Sequence, residues 1–179
     1  MILCCALLSA CGENPVQDAE ELRSEYRAYN NTELHYTASF SPTDAVSDFE
    51  LQFSGSPEGG TVHVLAPESV EGLSMEIRED GGALICDGAV LDAGTYGSSG
   101  LSPVGAGPLV FSLWQTGYLS ECRYETLDGR ETVAFLLSDG EGVTLTSWMD
   151  RETHLPVRCE AAKNGQVILT LLFQEAKFY

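Results

Sequence analysis

Apolar and polar residues alternate along most of this chain. Leu34, Tyr36, Ala38 and Phe40 alternate with His35, Thr37 and Ser39, and Phe49, Leu51 and Phe53 repeat the pattern against Asp48, Glu50 and Gln52. A period of two sends one set of side chains to a core and the other to solvent, so both segments predict half-buried antiparallel strands. Val62, Val64 and Ala66 predict a third strand, and Leu73, Met75 and Ile77 a fourth. Short pieces at Ala83–Cys86 and Ala89–Leu91 flank Asp87-Gly88, a hairpin turn. The C-terminal half predicts five more strands, Glu121–Thr126, Thr132–Ser138, Val143–Asp150, Leu155–Ala161 and Gln166–Phe173. Asp128-Gly129, Asp139-Gly140 and Asn164-Gly165 punctuate them, which makes a meander.

Two segments break the alternation. Asp18 with Glu21 three residues on reads as a capping box, and Leu22, Tyr26 and Tyr29 then share one helical face, predicting a helix from Asp18 to Asn30. Pro108 suits the first helical position, and the stripe Leu109, Val110, Leu113 and Trp114 stops at Gly117. A second, buried helix over Pro108–Thr116 follows. Between Asp92 and Gly107 the chain is rich in Gly and Ser without periodicity, which predicts a long loop with the glycines to move. The class is α+β, with the strands in one antiparallel sheet, both helices on one face of it, and Trp114 buried between.

The first eleven residues stand apart. Ile2 to Leu8 is an apolar run too short to span a bilayer, which takes roughly 20 residues. It closes on Leu8-Ser9-Ala10-Cys11, which resembles the bacterial lipobox, whose cysteine is lipidated and becomes the mature N-terminus. No Lys or Arg lies between Met1 and Cys11, so the basic start of a signal peptide is expected upstream, or the start is trimmed. The organisation expected is a leader over 1–11, a tether over 12–17 and a single domain over 18–179. Diacyl or triacyl modification of Cys11 would place the protein outside the cytoplasm, held to a membrane by its lipid.

Charge narrows the partners. The chain carries 27 acidic and 9 basic residues, a net charge of −18. Such a field repels phosphate backbones and anionic head groups, which argues against nucleic acid. Cys86, Cys122 and Cys159 remain after the leader, an odd number that allows at most one internal pair. Neither they nor His35, His63 and His154 stand at metal-ligand spacing, and no nucleophile motif surrounds any histidine. Glu76, Glu79, Asp80, Asp87 and Asp92 concentrate negative charge without the ordered spacing of a calcium loop. Neither a catalytic site, a metal nor a cofactor is expected.

The segment Asp150-Arg151-Glu152-Thr153-His154-Leu155-Pro156-Val157-Arg158 carries a resemblance. A strand ending in Asp, a turn with Thr and Leu-Pro-Val-Arg opening the next strand resemble the bacterial lipoprotein-carrier superfamily of LolA, LolB and LppX. The order of helix, strands, glycine-rich loop, helix and meander extends the likeness across residues 18–179. The resemblance also reaches small clostridial lipoproteins linked to spore germination. It implies a strongly curved antiparallel sheet, an incomplete barrel whose concave face is covered by helices.

The resemblance further implies a non-enzymatic protein that holds acyl chains between sheet and helices. The expected cavity is lined by Leu101, Val104, Leu109, Leu113, Trp114, Tyr26 and Phe53, with its mouth at the loop from Asp92 to Gly107. Aromatics at these periods more often serve as simple core, because a filled half barrel and an empty one demand the same alternation. The alternative is therefore an interaction module of the same fold, with a filled core, docking on another cell-envelope or spore cell-wall protein.

Overall fold

A computed structural model describes residues 14–43, 45–78, 81–86, 88–94 and 101–179. Cys11 and its leader lie outside the described residues, as do Glu79, Asp80, Asp87 and the middle of the glycine-rich loop, 95–100.

Helix α1 spans Pro15–Ala28. Its cap is Asn14 and not Asp18, because the Asn14 side chain accepts from the amides of Val16 and Gln17 at 3.1 and 3.4 Å and Pro15 supplies a preset first helical position. Asp18 lies instead in the first turn, where its charge suits the helix dipole, and Glu21 accepts from Gln17. Residues 14–17 thus belong to the domain and not to a tether. The helix ends two residues before Asn30, with Tyr29 already extended.

Eleven strands follow. They are β1 (Thr32–Phe40), β2 (Ser47–Ser56), β3 (Gly59–Ala66), β4 (Ser74–Arg78), β5 (Gly81–Cys86) and β6 (Ala89–Gly94), then β7 (Tyr118–Leu127), β8 (Arg130–Ser138), β9 (Val143–Asp150), β10 (Pro156–Lys163) and β11 (Gln166–Phe178). All join one antiparallel sheet in the order β6-β5-β4-β3-β2-β1-β11-β10-β9-β8-β7. Two meanders are therefore zipped together by the pairing of β1 with β11. Edges β6 and β7 do not meet among the described residues, so the curved sheet is an incomplete barrel. Its tight turns use the expected chemistry, with φ of 51° and 79° at Asp128-Gly129 and 55° and 80° at Asn164-Gly165.

Helix α2 spans Ala106–Thr116, so the long loop is shorter at both ends than expected. Leu91 is followed by three more strand residues, and Ala106 and Gly107 form the first helical turn, putting Pro108 third, where its missing N–H is still no loss. Gly107 is required there, because a Cβ would lie 2.5 Å from the Phe53 ring beneath it.

Each helix finishes the other. Gln115 donates to the Tyr26 and Tyr29 carbonyls near the end of α1, while Arg27 bonds the Gln115 carbonyl and buried Arg23 bonds that of Gly117 at the end of α2. Orphan carbonyls of two helix termini are met in this way, those of α1 by a neutral amide and those of α2 by two arginines whose charge suits the dipole. Both helices pack on one face of the sheet, as expected, and Trp114 is fully buried with its indole N–H on Ser147 Oγ at 2.9 Å.

Candidate functional site

The concave face carries one apolar row that crosses six strands. Directly opposed pairs run Leu34, Phe53, Val62, Met75, Leu84 and Leu91 from β1 to β6. Exposure rises along it. Leu34, Phe53 and Val62 are buried, Met75 is 5% exposed, Leu84 is half-buried and Leu91 is 60% exposed. Helix α2 leans on β2 and β3, which leaves the apolar lining at β5 and β6 without a cover of comparable depth among the described residues. In the neighbouring row buried Ile77 stands between Gly60 and Gly82, and the Phe53 ring packs directly against Gly60.

The residues expected to line a cavity divide by position. Trp114, Tyr26 and Phe53 are buried in a continuous interior, and Leu113 is 4% exposed. Tyr26 meets Trp114 at 5.1 Å and Phe178 at 4.7 Å in edge-on geometry, and Phe173 lies 5.9 Å from Trp114. These rings pack on one another and leave the core at this end filled. Leu101 is 8% exposed, while Val104 and Leu109 are half-buried against the same core. The Tyr36 hydroxyl reaches the Pro103 carbonyl at 3.5 Å, which holds this stretch above β1. Leu84 and Leu91 were not anticipated. Their sequence signal was the Asp87-Gly88 dipeptide between two short apolar pieces, and the pairing of β5 with β6 and β4 sets them opposite each other and in line with Met75.

The Asp150–Arg158 segment acts as a clasp. Asp150 Oδ1 accepts from the amides of Thr153 at 2.8 Å and Glu152 at 2.9 Å, and these bonds hold its carboxyl below the usual carboxylate range. The turn is then tied to α1. The Tyr26 hydroxyl donates to the His154 carbonyl at 2.8 Å, the His154 ring meets Glu25 at 2.9 Å, and Arg151 stacks on Tyr124 at 4.0 Å while reaching Asp18. A polar groove of about 630 Å³ beside it is lined by Asp18, Arg130, Glu131, Asp150, Arg151 and Glu152, with no apolar wall for a hydrocarbon.

Among the described residues no triad assembles around the histidines. His35 pairs with Glu50 and His63 with Ser74, each partly exposed on the convex face, and among the described residues no carboxylate bonds the other His63 nitrogen. All three described cysteines are free. Burial pushes the Cys159 thiol up to about 12, so it is an inert core group. Among the described residues no three His, Cys, Asp or Glu side chains converge on a metal position.

No family model and no curated protein matches the chain. Solved structures do. An uncharacterised protein from Thermus thermophilus superposes with a TM-score of 0.54 at 12% identity, covering 93% of this chain and 88% of the other. A Vibrio parahaemolyticus domain assigned to outer membrane lipoprotein sorting gives 0.52 at 13% identity, covering 92% and 93%. A LolA superfamily protein from Nitrosomonas europaea gives 0.51 at 12%, covering 93% and 94%. The chain has the LolA-like fold.

Proposed function

We propose that this protein is a non-catalytic, lipid-anchored protein of the bacterial envelope that holds the hydrocarbon part of a lipid at the β4–β6 end of its half barrel. The observation that carries the reading is the exposure gradient from Leu34 to Leu91 along one apolar row. A sheet whose concave face is sealed at one end and, among the described residues, opens to solvent at Leu91 offers a trough for an acyl chain, with buried Met75 and Ile77 at its deep end and Leu84 and Leu91 toward its mouth. Dispersion and removal of methylenes from water supply the affinity, at ~0.8 kcal/mol per buried CH₂. The likeness to the Vibrio lipoprotein-sorting domain supports the envelope setting, and Cys11 is the anchor this reading requires.

Titration with a fluorescent sixteen-carbon fatty acid tests it. Wild-type protein binds with saturable fluorescence gain, and Leu91→Glu, at a position open enough to tolerate the change, weakens binding at least tenfold without altering the circular dichroism spectrum. Equal binding by both proteins refutes the placement. Absence of binding by the wild type favours the reading as an interaction module.

A further inference from the structure

The two edges of β11 are unequally used. On one side β11 pairs with β1 up to Phe178, but on the other it pairs with β10 only as far as Leu172. Three local causes end the second ladder. Pro156 opens β10 without an N–H. The register of β11 against β1 slips between His35 and Tyr36, which face Glu175 and Phe173, so Gln174 is an extra, bulged residue. The Tyr26 hydroxyl holds the His154 carbonyl, tethering the chain before β10 to α1 and away from β11.

A split in the sheet is the result. Asn31 and Tyr179 exchange both backbone bonds, which sets the alternation along this ladder. Glu175 and Lys177 turn their N–H and C=O toward β1, and Ala176 and Phe178 turn theirs toward the split. Among the described residues no backbone group of β10, or of the turn before it, bonds Ala176 or Phe178. Alongside runs a groove of about 310 Å³ with an apolar floor of Leu155, Pro156, Val157, Phe173 and Ala176. Unmet strand donors and acceptors beside an apolar trough are what an added strand requires.

We propose that the split receives an extended segment of a partner protein, apolar at alternate positions and flanked by Lys or Arg, which adds to β11 as a strand where β10 stops. The flanking charges follow from Asp150 and Glu175 on the rim, set against Arg130, within a chain of net charge −18. A second copy of the chain would bring another −18 to the same place. A lipid tail would cover the amides without bonding them. The site lies across β1 from the Leu84–Leu91 trough and stands independently of it.

The test selects ligands from a displayed library of random nonapeptides and maps the enriched ones by amide hydrogen exchange. Enrichment of basic, alternating sequences that slow exchange at Ala176 and Phe178 at least tenfold is expected, with loss of binding when alternate peptide nitrogens are methylated. Ala176→Pro, which removes a donor facing the split and leaves the β1 ladder whole, abolishes the effect. The proposal is overturned if no peptide enriches, if enriched peptides leave both amides unchanged, or if methylated peptides bind equally. Slowing of both amides by protein concentration alone, or by fatty acid micelles alone, overturns it in favour of a second copy or a lipid.

Discussion

The bond from Trp114 to Ser147 decides how firmly α2 is held to the sheet, and a double-mutant cycle across it is the sharpest test of that packing. Ser147 is fully buried on β9 and accepts from the indole N–H at 2.9 Å and from the Cys159 thiol at 3.3 Å. Ser147→Ala leaves the indole N–H buried without an acceptor, which costs roughly 1–3 kcal/mol. Trp114→Phe removes the donor and opens a small void, costing roughly 2–3 kcal/mol from about 1 for the bond and ~0.8 per carbon-sized group lost. In the double variant no orphan donor remains, so its loss should match that of Trp114→Phe alone, giving a coupling equal to the Ser147→Ala cost, roughly 1–3 kcal/mol. Guanidinium unfolding measures all four proteins, and each kcal/mol appears as a fall of about 2–4 °C in Tm for a chain of this size. Strict additivity would show that the bond contributes nothing and that Trp114 is held by shape alone.

Other outcomes follow from the same structure. Asn14→Ala should cost about 1 kcal/mol by thermal unfolding, since the Asn14 side chain caps α1; an unchanged Tm would return the cap to Asp18. The Cys159 thiol is neutral in the fold up to about pH 12 but ionises near 9 once unfolded, so the unfolded chain holds fewer protons between these values and stability falls as pH rises through them. Cys159→Ala should flatten that part of the pH–stability curve, and an unaltered slope would contradict the burial. Asp150 has the opposite sign, because its carboxyl is lowered: its contribution is present above about pH 3.9 and is lost as pH falls further. Asp150→Ala should lower Tm at pH 7, and the loss should shrink as pH falls through the titration of the folded carboxyl.

Strand alternation was readable because one face of each strand is buried, as the strictly alternating burial from Thr32 to Ala38 shows. Turn dipeptides fixed the meander for the same local reason, since a left-handed backbone selects Asn, Asp and Gly. Boundaries were harder where two signals compete. Asn14-Pro15 and Asp18 with Glu21 both resemble helix starts, and only the side-chain geometry separates them. Gly107 reads as loop in isolation; its place in α2 is imposed by the Phe53 ring, distant in sequence and in contact in space. The exposure gradient ending at Leu91 depends on the register of five strand pairs. The split beside β11 depends on a bulge at Gln174 that no residue type announces. Both are consequences of long-range pairing, which alternation within one segment does not encode.

Native mass spectrometry of the full-length protein extracted from its own membrane in mild detergent tests the central claim most directly. The account predicts a non-covalent mass excess equal to one acyl lipid, released on collisional activation, and its absence from Leu91→Glu purified in the same way. Protein that carries only covalent modification at Cys11, with no releasable lipid in either form, would contradict the claim that the β4–β6 end of the half barrel holds a hydrocarbon chain.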